Sequence, residues 1–599
     1  MLATGVSSTA IHRRNYMNKK KFHFIMIKPS HYDDDGYVIQ FYRSAMPSNT
    51  LATLYGLAED CRQRNVLGDD VDLRFTTVDE TNKRVRVDEL VRRIQRNGGL
   101  GLVGLIGVQS NQFPRAMDLA RQFRAAGIQV CIGGFHVSGT LAMLPGITPE
   151  LKEAVDSGIS LFAGEAEGRL ETVLKDAYRG KLKPVYNFML DLPALQNAPT
   201  PILDASVVKR TGGAQASFDA GRGCPYMCSF CTIINVQGRT SRFRSADDVE
   251  KIIRSNYDQG IRRFFISDDN FARNRNWEAI FDRIIELRED IGSDFNLVLQ
   301  VDTMCHRIPN FIEKSVLAGT KRVFIGLENI NPGSLKGALK GQNRITEYRQ
   351  MLQEWRRVKV ITTAGYILGF PEDTLESIVR DVEIIKRELP IDILEFFFLT
   401  PLPGSADHKH LVDQGVEMDP DLNKYDLNHV TTGHPRMTRE EWERAYRLAW
   451  DTFYSYDHCV TLLRRARADN LHVGKIVGTI TWFYGSVLWE GVHPLESGFI
   501  RLKYRHDRRP GLPVEAAWRF YPKYVSNLAA KIWRLARLYY TYHPLRKKLD
   551  AMPSPIDYSD TALQPVNTEE LSELQMFQVT GAARAAADRA KRRASNLAR

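Results

Sequence analysis

Three cysteines, Cys224, Cys228 and Cys231, fall within eight residues in the run Gly221-Arg222-Gly223-Cys224-Pro225-Tyr226-Met227-Cys228-Ser229-Phe230-Cys231. Thiolates are the usual ligands of iron–sulfur clusters, and four iron corners met by three nearby sulfurs leave one iron open to an outside ligand. A structural zinc ion asks for a fourth Cys or His at recognisable spacing. The only completion on offer, Cys305-His306, lies more than 70 residues further on, and there is no second CxxC pair. A disulfide framework fails because three is odd. The triplet therefore reads as a cluster site with an open corner, with zinc as the minor alternative.

Such a site needs a rigid frame. An apolar strand at 216–220 runs directly into the cysteine loop, and five more apolar runs follow at 262–266, 295–300, 322–325, 360–364 and 394–399. Helical patterns at 246–257, 277–289 and 375–389 separate them. Polar residues stand where these strands end: Ser267-Asp268-Asp269-Asn270, then Asp302, then Gly326-Leu327-Glu328-Asn329. The fifth run leads into Gly365-Tyr366-Ile367-Leu368-Gly369-Phe370-Pro371-Glu372. In β/α barrels the functional groups sit at the carboxyl ends of strands. Any one of these carboxylates could instead cap a helix.

An earlier region, 21–178, alternates strands (22–27, 71–78, 102–108, 128–132, 159–163) with helices (50–65, 87–96, 114–126, 170–178). That alternation predicts a doubly wound parallel sheet covered on both faces. Ligands of such sheets bind outside the carboxyl ends of the strands. Those ends carry Ser110 and Asn111, Gly133, Gly134 and His136, and Gly164 with Glu165. The Gly133-Gly134 pair would let a backbone approach a ligand closely, although glycines at such turns serve chain geometry equally well. His136 alone is more often a hydrogen-bonded turn residue than a ligand.

The CxxxCxΦC pattern, with Phe230 as its aromatic residue, resembles the signature of the radical S-adenosylmethionine superfamily. The segment Gly365, Ile367, Gly369 and Glu372 is similar to that family's GxIxGxxE pattern near the adenine. The resemblance implies a 4Fe–4S cluster on Cys224, Cys228 and Cys231 in a partial (β/α)6 barrel. S-adenosylmethionine would bind the open iron and be cleaved to a 5'-deoxyadenosyl radical, with Asp268, Asp269 and Glu328 as ribose or amino-group ligands. A doubly wound domain directly ahead of the barrel resembles the cobalamin-dependent subgroup, whose cobalamin-binding segments the stretches at Gly133-Gly134-Phe135-His136 and Gly164-Glu165-Ala166-Glu167-Gly168 are similar to. The DxHxxG motif that supplies an axial histidine elsewhere is absent. By this resemblance the chain is an α/β enzyme: a Rossmann-like cobalamin-binding domain (21–190), a linker (191–210), the barrel (211–435) and a mainly helical, basic and aromatic region (436–550). Residues 1–20 and 551–599 are expected to be flexible.

The implied activity is methylation of an unactivated carbon in a biosynthetic small molecule, a lipid-like one among the candidates, with electrons from a donor such as flavodoxin or ferredoxin. Rearrangement or cyclisation without methyl transfer is the alternative, and a cluster- or cobalamin-binding sensor is the reading outside enzymes. Composition fits globular domains: 43% hydrophobic and 26% charged. Seven sparse cysteines in 599 residues suit a reducing cytoplasm. No apolar run is long enough to span a membrane. The +11 net charge is concentrated between 501 and 549, where thirteen Lys or Arg face only Asp507 and Glu515. Interleaved aromatics there predict peripheral contact with a membrane's inner face, and no appended RNA-binding module points to nucleic acid. Thr438 and Glu441 form a capping-box pattern; Trp442, Tyr446, Trp450 and Phe453 follow at helical spacing and read as core.

Overall fold

The computed structural model describes residues 19–566 apart from 97, 293 and 554, so the expected flexible start and most of the expected tail lie outside the described residues. The strands are β1 (Lys20–Lys28), β2 (Gln40–Ser44), β3 (Val71–Asp79), β4 (Gly101–Leu105), β5 (Gln129–Gly133), β6 (Ser160–Ala163), β7 (Val185–Asn187) and β8 (Gln215–Phe218). They continue as β9 (Gly221–Arg222), β10 (Arg242–Phe243), β11 (Arg263–Ile266), β12 (Asn296–Val301), β13 (Thr320–Glu328), β14 (Ile361–Leu368), β15 (Ile393–Phe398) and β16 (Gly498–Leu502).

Period-two alternation in β1 decides how the first sheet is buried. Phe22, Phe24 and Met26 enter one core cluster, and Ile25 and Ile27 enter the other. A strand apolar on both faces belongs in a parallel sheet sandwiched between helices. The sheet has six strands in the order β3-β1-β4-β5-β6-β7, each pair parallel. Its order reverses between β1 and β4, which is the crevice where open α/β sheets bind ligands. β7 is a short edge strand with no apolar run of its own, so the sequence did not show it.

The second sheet is also six-stranded and parallel, in the order β15-β14-β13-β12-β11-β8. Here alternation separates two environments. In β12 and β13, Leu297, Leu299, Val323 and Ile325 are buried against the helices, while Val298, Gln300, Arg322 and Phe324 are half-buried on the opposite face. One face covered and one left open is the wall of a curved, unclosed sheet.

The capping box forms as expected: the Glu441 backbone N–H donates to Thr438 Oγ1 at 3.2 Å and the Thr438 N–H to Glu441 Oε2 at 2.9 Å. It opens the helix Arg439–Phe453, whose Trp442, Tyr446, Trp450 and Phe453 are all buried. The last region is not wholly helical. β16 pairs antiparallel with β2, so the chain returns to the segment after β1 before the long helix Ala517–Ala551 begins.

Candidate functional site

The cysteines lie between β9 and β10. Gly223 makes the turn possible: its φ is +89°, and a Cβ there would meet Thr240 O at 2.6 Å and Gly238 O at 3.0 Å. The loop is closed by the Cys224 N–H donating to Gly238 O (3.2 Å) and the Cys231 N–H to Cys228 O (3.2 Å). Two more bonds anchor it: Ser229 N–H to Ala338 O (3.1 Å) and Asp407 N–H to Ser229 O (3.1 Å). Gln342 Nε2 donates to Cys228 Sγ at 3.4 Å.

The donor set tests what the loop could hold. All three thiols are unpaired. Among the described residues, one group of three His, Cys, Asp or Glu brings its ligand atoms within 4.8 Å of one another, and it is His31, Asp426 and Glu496, not the cysteines. Sulfurs farther apart than single-ion reach suit a cluster in which each takes its own iron. The zinc alternative loses its fourth ligand: Cys305 is fully buried in the core, and His306 faces Glu347 at 3.4 Å. Burial, with Asp269 next in effect, pushes the Cys231 thiol up to about 12, so the thiolate needs a cationic partner.

Around the loop the expected residues separate into distinct roles. Phe230 packs edge-on against Phe370 at 6.4 Å, with the Lys340 ammonium 5.7 Å from its ring centre. Glu328 ends β13 with φ +65°, beside a break in the β13–β14 register, and its carboxylate pairs with Lys340. Non-glycine residues held in this left-handed region cluster at functional sites. Lys340, in a loop with no pattern of its own, was missed by the sequence reading. Asp268 is occupied structurally: it accepts from the N–H groups of Ala220 (2.7 Å) and Gly221 (2.8 Å) and from Asn274 Nδ2 (2.9 Å). Burial raises its carboxyl to about 7. Asp269 remains exposed beside it.

The Gly365–Glu372 segment divides in the same way. Gly365 lies on the open face, where a Cβ would sit 3.0 Å from both Phe324 and Phe397. Ile367 joins Phe370, Phe230 and Phe397 in one apolar cluster. Gly369 has φ +103°, and a Cβ there would overlap the Trp442 indole at 1.9 Å, so this glycine makes room for a core tryptophan. Glu372 points outward and pairs with Arg436 at 2.7 Å across an exposed surface. The buried carboxylate closing the turn is Asp373, which accepts from the Gly369 and Phe370 N–H groups, both at 2.9 Å.

On the first sheet, a cleft of about 1000 Å³, counted to its open mouth, is lined by Gly104–Gly107, Gly133, Gly134, Phe162 and Gly164. Glycine walls leave room for a large ligand beside the strand ends. Gly134 itself, with φ +151°, is packed against the Val108 backbone, 2.1 Å from where a Cβ would sit. His136 is buried: burial first, then His408, lower its pKa to about 3, and its Nδ1 lies 3.1 Å from Ser110 Oγ. Asn111 Nδ2 donates to Glu496 Oε1 at 2.7 Å.

Glu165 borders the same cleft. Its carboxylate accepts from Arg222 Nη1 (2.6 Å) and from the Arg242 guanidinium (2.9 Å to Nη1). Arg222 Nη2 also donates to Glu167 Oε1 at 2.7 Å, and Nε lies 3.2 Å from Asp219 Oδ2. Arg222, Glu165, Glu167 and Asp219 are buried, and Arg242 is half-buried. Burial alone would lower the pKa of Arg222, but Asp219, Glu167 and Glu165 raise it well above its ordinary value. Burial would likewise raise Asp219, yet Arg222 and Arg244 bring it down to about 2. A guanidinium two residues before Cys224 thus clamps the cysteine loop to the loop after β6.

Residues 220–385 match the radical SAM superfamily profile. The bacteriochlorophyllide d C-8(2)-methyltransferase of Chlorobaculum tepidum is 25% identical over 56% of this chain and 74% of its own. The radical S-adenosylmethionine methyltransferase TsrM from Kitasatospora setae, solved with cobalamin and a 4Fe–4S cluster, shares the fold with a TM-score of 0.54 at 14% identity, over 74% of this chain and 92% of its own. The cobalamin-dependent S-adenosylmethionine radical enzyme OxsB follows the fold over 94% of this chain and 84% of its own, with a TM-score of 0.52 at 12% identity. Residues 220–385 thus form a radical S-adenosylmethionine domain, and the mixed α/β fold with its parallel sheets resembles that of these two cobalamin-dependent enzymes.

Proposed function

We propose that this chain is a cobalamin-dependent radical methylase acting on an unactivated carbon of a small biosynthetic molecule. In this reading 21–190 is the cobalamin-binding domain, 211–435 the partial barrel and 436–550 the region that covers it. The observation that carries it is the Arg222 clamp, which locks the cysteine loop against a first-sheet loop that borders the glycine-walled cleft. Two cofactors must cooperate on one substrate carbon, and that requires their sites to be fixed relative to one another.

When bound, the cluster and S-adenosylmethionine supply a radical that takes a substrate hydrogen, and cobalamin supplies the methyl group. The chain's own work is positional. Cys224, Cys228 and Cys231 would hold the irons. Glu328 and Lys340 present a carboxylate and an ammonium beside Phe230, suited to the polar groups of S-adenosylmethionine. Ile367, Phe370 and Phe397 give an apolar wall for the adenine. Ser110, Asn111, Gly133, Gly134 and Gly164 shape the cobalamin side. The substrate is a small molecule, as for the relative named for methylating bacteriochlorophyllide d. Reduction would come from a donor such as flavodoxin or ferredoxin, and the seven unpaired thiols suit the cytoplasm.

The test is anaerobic reconstitution with iron, sulfide and cobalamin, followed by nucleoside analysis during turnover. Methylation requires S-adenosylhomocysteine and 5'-deoxyadenosine together. If only the second forms with substrate, the chain rearranges or cyclises; if neither forms, it is not an enzyme of this class.

A further inference from the structure

The long helix Ala517–Ala551 carries a feature that the enzyme reading does not use. At 3.6 residues per turn, Trp518, Tyr521, Val525, Ile532, Trp533 and Tyr540 fall on one arc of about 120°. Each is at least half exposed, from 50% for Ile532 to 75% for Trp518. The opposite face, including Phe520, Tyr542 and Leu549, is buried against the protein. Arg519, Lys523, Arg534 and Arg537 border the exposed stripe on one side, and no acidic residue occurs from 516 to 549. Contiguous exposed apolar surface on a folded chain marks a docking site.

On the side of the helix turned away from this stripe, a groove opens toward β16. It measures about 460 Å³ including its mouth, and Tyr37, Phe520 and Tyr524 line it together with Lys503, Lys523 and Lys531 and the carboxylates Asp35 and Glu515. At its inner end lies Arg501, 4% exposed. Its Nη2 donates to Asp33 Oδ2 at 2.9 Å, while Nε and Nη1 are buried without an acceptor among the described residues. Two unmet guanidinium donors in a buried position are costly unless an anion reaches them. Burial pulls the Arg501 pKa below its usual value despite Asp33, a sign that its charge is under-compensated.

We infer that this face seats the protein on an anionic phospholipid bilayer, with the helix lying in the interfacial plane. Tryptophan and tyrosine rings settle at the headgroup level, and lysine and arginine beside them meet the anionic surface. The helix does not cross: no helix of the described residues is long and apolar enough. A second copy of the chain is a poor occupant, since two such faces would bring like-charged rows together.

The inference stands apart from the methylase reading, because its readout is binding. The full chain is spun with vesicles of phosphatidylcholine alone and with phosphatidylglycerol added. Sedimentation with the anionic vesicles, release by salt and a blue shift of tryptophan emission are expected. Lys523→Glu, at an exposed position, should weaken binding roughly tenfold or more. Trp518→Ser with Trp533→Ser should abolish the blue shift, while S-adenosylmethionine cleavage is unchanged. Failure to sediment with anionic vesicles at low salt overturns the inference, as does binding indifferent to both sets of substitutions. If inorganic phosphate protects the fold from heat while vesicles do nothing, the groove serves a soluble anion. If the tryptophan pair instead dissolves a dimer, the face is a self-contact; either result rejects the bilayer.

Discussion

The loop between the antiparallel strands β9 and β10 meets the loop that leaves the parallel strand β6, and the two handle their polar groups in opposite ways. The Cys224–Cys231 loop leaves its chemistry unsatisfied: three thiols without a disulfide, two of them partly open. The Gly164–Gly168 loop closes its chemistry completely, with Glu165 and Glu167 in the grip of Arg222 and Arg242. A strand-end carboxylate is therefore a ligand or a clamp according to whether a buried cation already holds it. Function gathers where the donors remain unmet.

The sharpest test of the open loop is to remove a thiol. Cys224→Ala, Cys228→Ala or Cys231→Ala should each abolish S-adenosylmethionine cleavage, with the reconstituted iron content falling from about four per chain toward zero. The fold should survive, because the loop is held by backbone bonds rather than by the sulfurs. A single alanine variant that keeps its iron and its activity would remove that cysteine from the ligand set.

For the closed loop, Arg222→Met should cost about 3–5 kcal/mol, since buried Glu167 loses its cation and buried Glu165 and Asp219 are left with Arg242 and Arg244 alone. Urea unfolding at pH 7 measures it. The pH dependence has a definite sign. In the native chain burial works to raise the Glu167 pKa, but Arg222 draws it below its usual value. A depressed carboxylate contributes stability above its unfolded pKa and loses it as pH falls through the folded value. In Arg222→Met burial acts unopposed by that cation, so mild acid should stabilise the variant relative to pH 7 while it destabilises the parent. Parallel pH profiles would show that the clamp is not electrostatic.

Much of this contrast could be read in the sequence, and what could not has a physical reason. Period-two and helical alternation gave both sheets, because buried parallel strands are nearly continuous apolar runs. The cysteine spacing was legible because its ligands are local in the chain. The pairing of Glu165 with Arg222 was not legible because the two lie 57 residues apart, and no spacing rule reports that. Lys340 escaped for the same reason: it reaches Glu328 through a fold, from a segment with no periodic pattern. β16 was folded into a helical expectation, since five residues pairing with β2 across more than 450 positions leave no local mark.

Between the extremes stands Glu328, partnered yet strained. Glu328→Gln keeps the shape and removes the charge. If its carboxylate meets S-adenosylmethionine, the concentration needed for half-maximal cleavage should rise about ten- to a hundredfold, with little change in thermal stability. A lowered melting temperature and an unchanged concentration dependence would reduce the Glu328–Lys340 pair to a structural tie.

The smallest expected effect is the one that best separates motif from geometry. Glu372 completes a recognised pattern, yet it is an exposed carboxylate paired with an exposed arginine, and such pairs contribute at most about 1 kcal/mol. Asp373 beside it is buried and accepts two backbone N–H groups. Glu372→Gln should therefore shift stability by a few tenths of a kcal/mol and leave S-adenosylmethionine binding unchanged, whereas Asp373→Ala should cost about 1–3 kcal/mol by stranding those donors. Chemical denaturation of the two variants side by side decides it. Should Glu372→Gln prove the more damaging, its carboxylate must turn inward when the site is filled, and the pattern would be reporting a ligand contact rather than a turn.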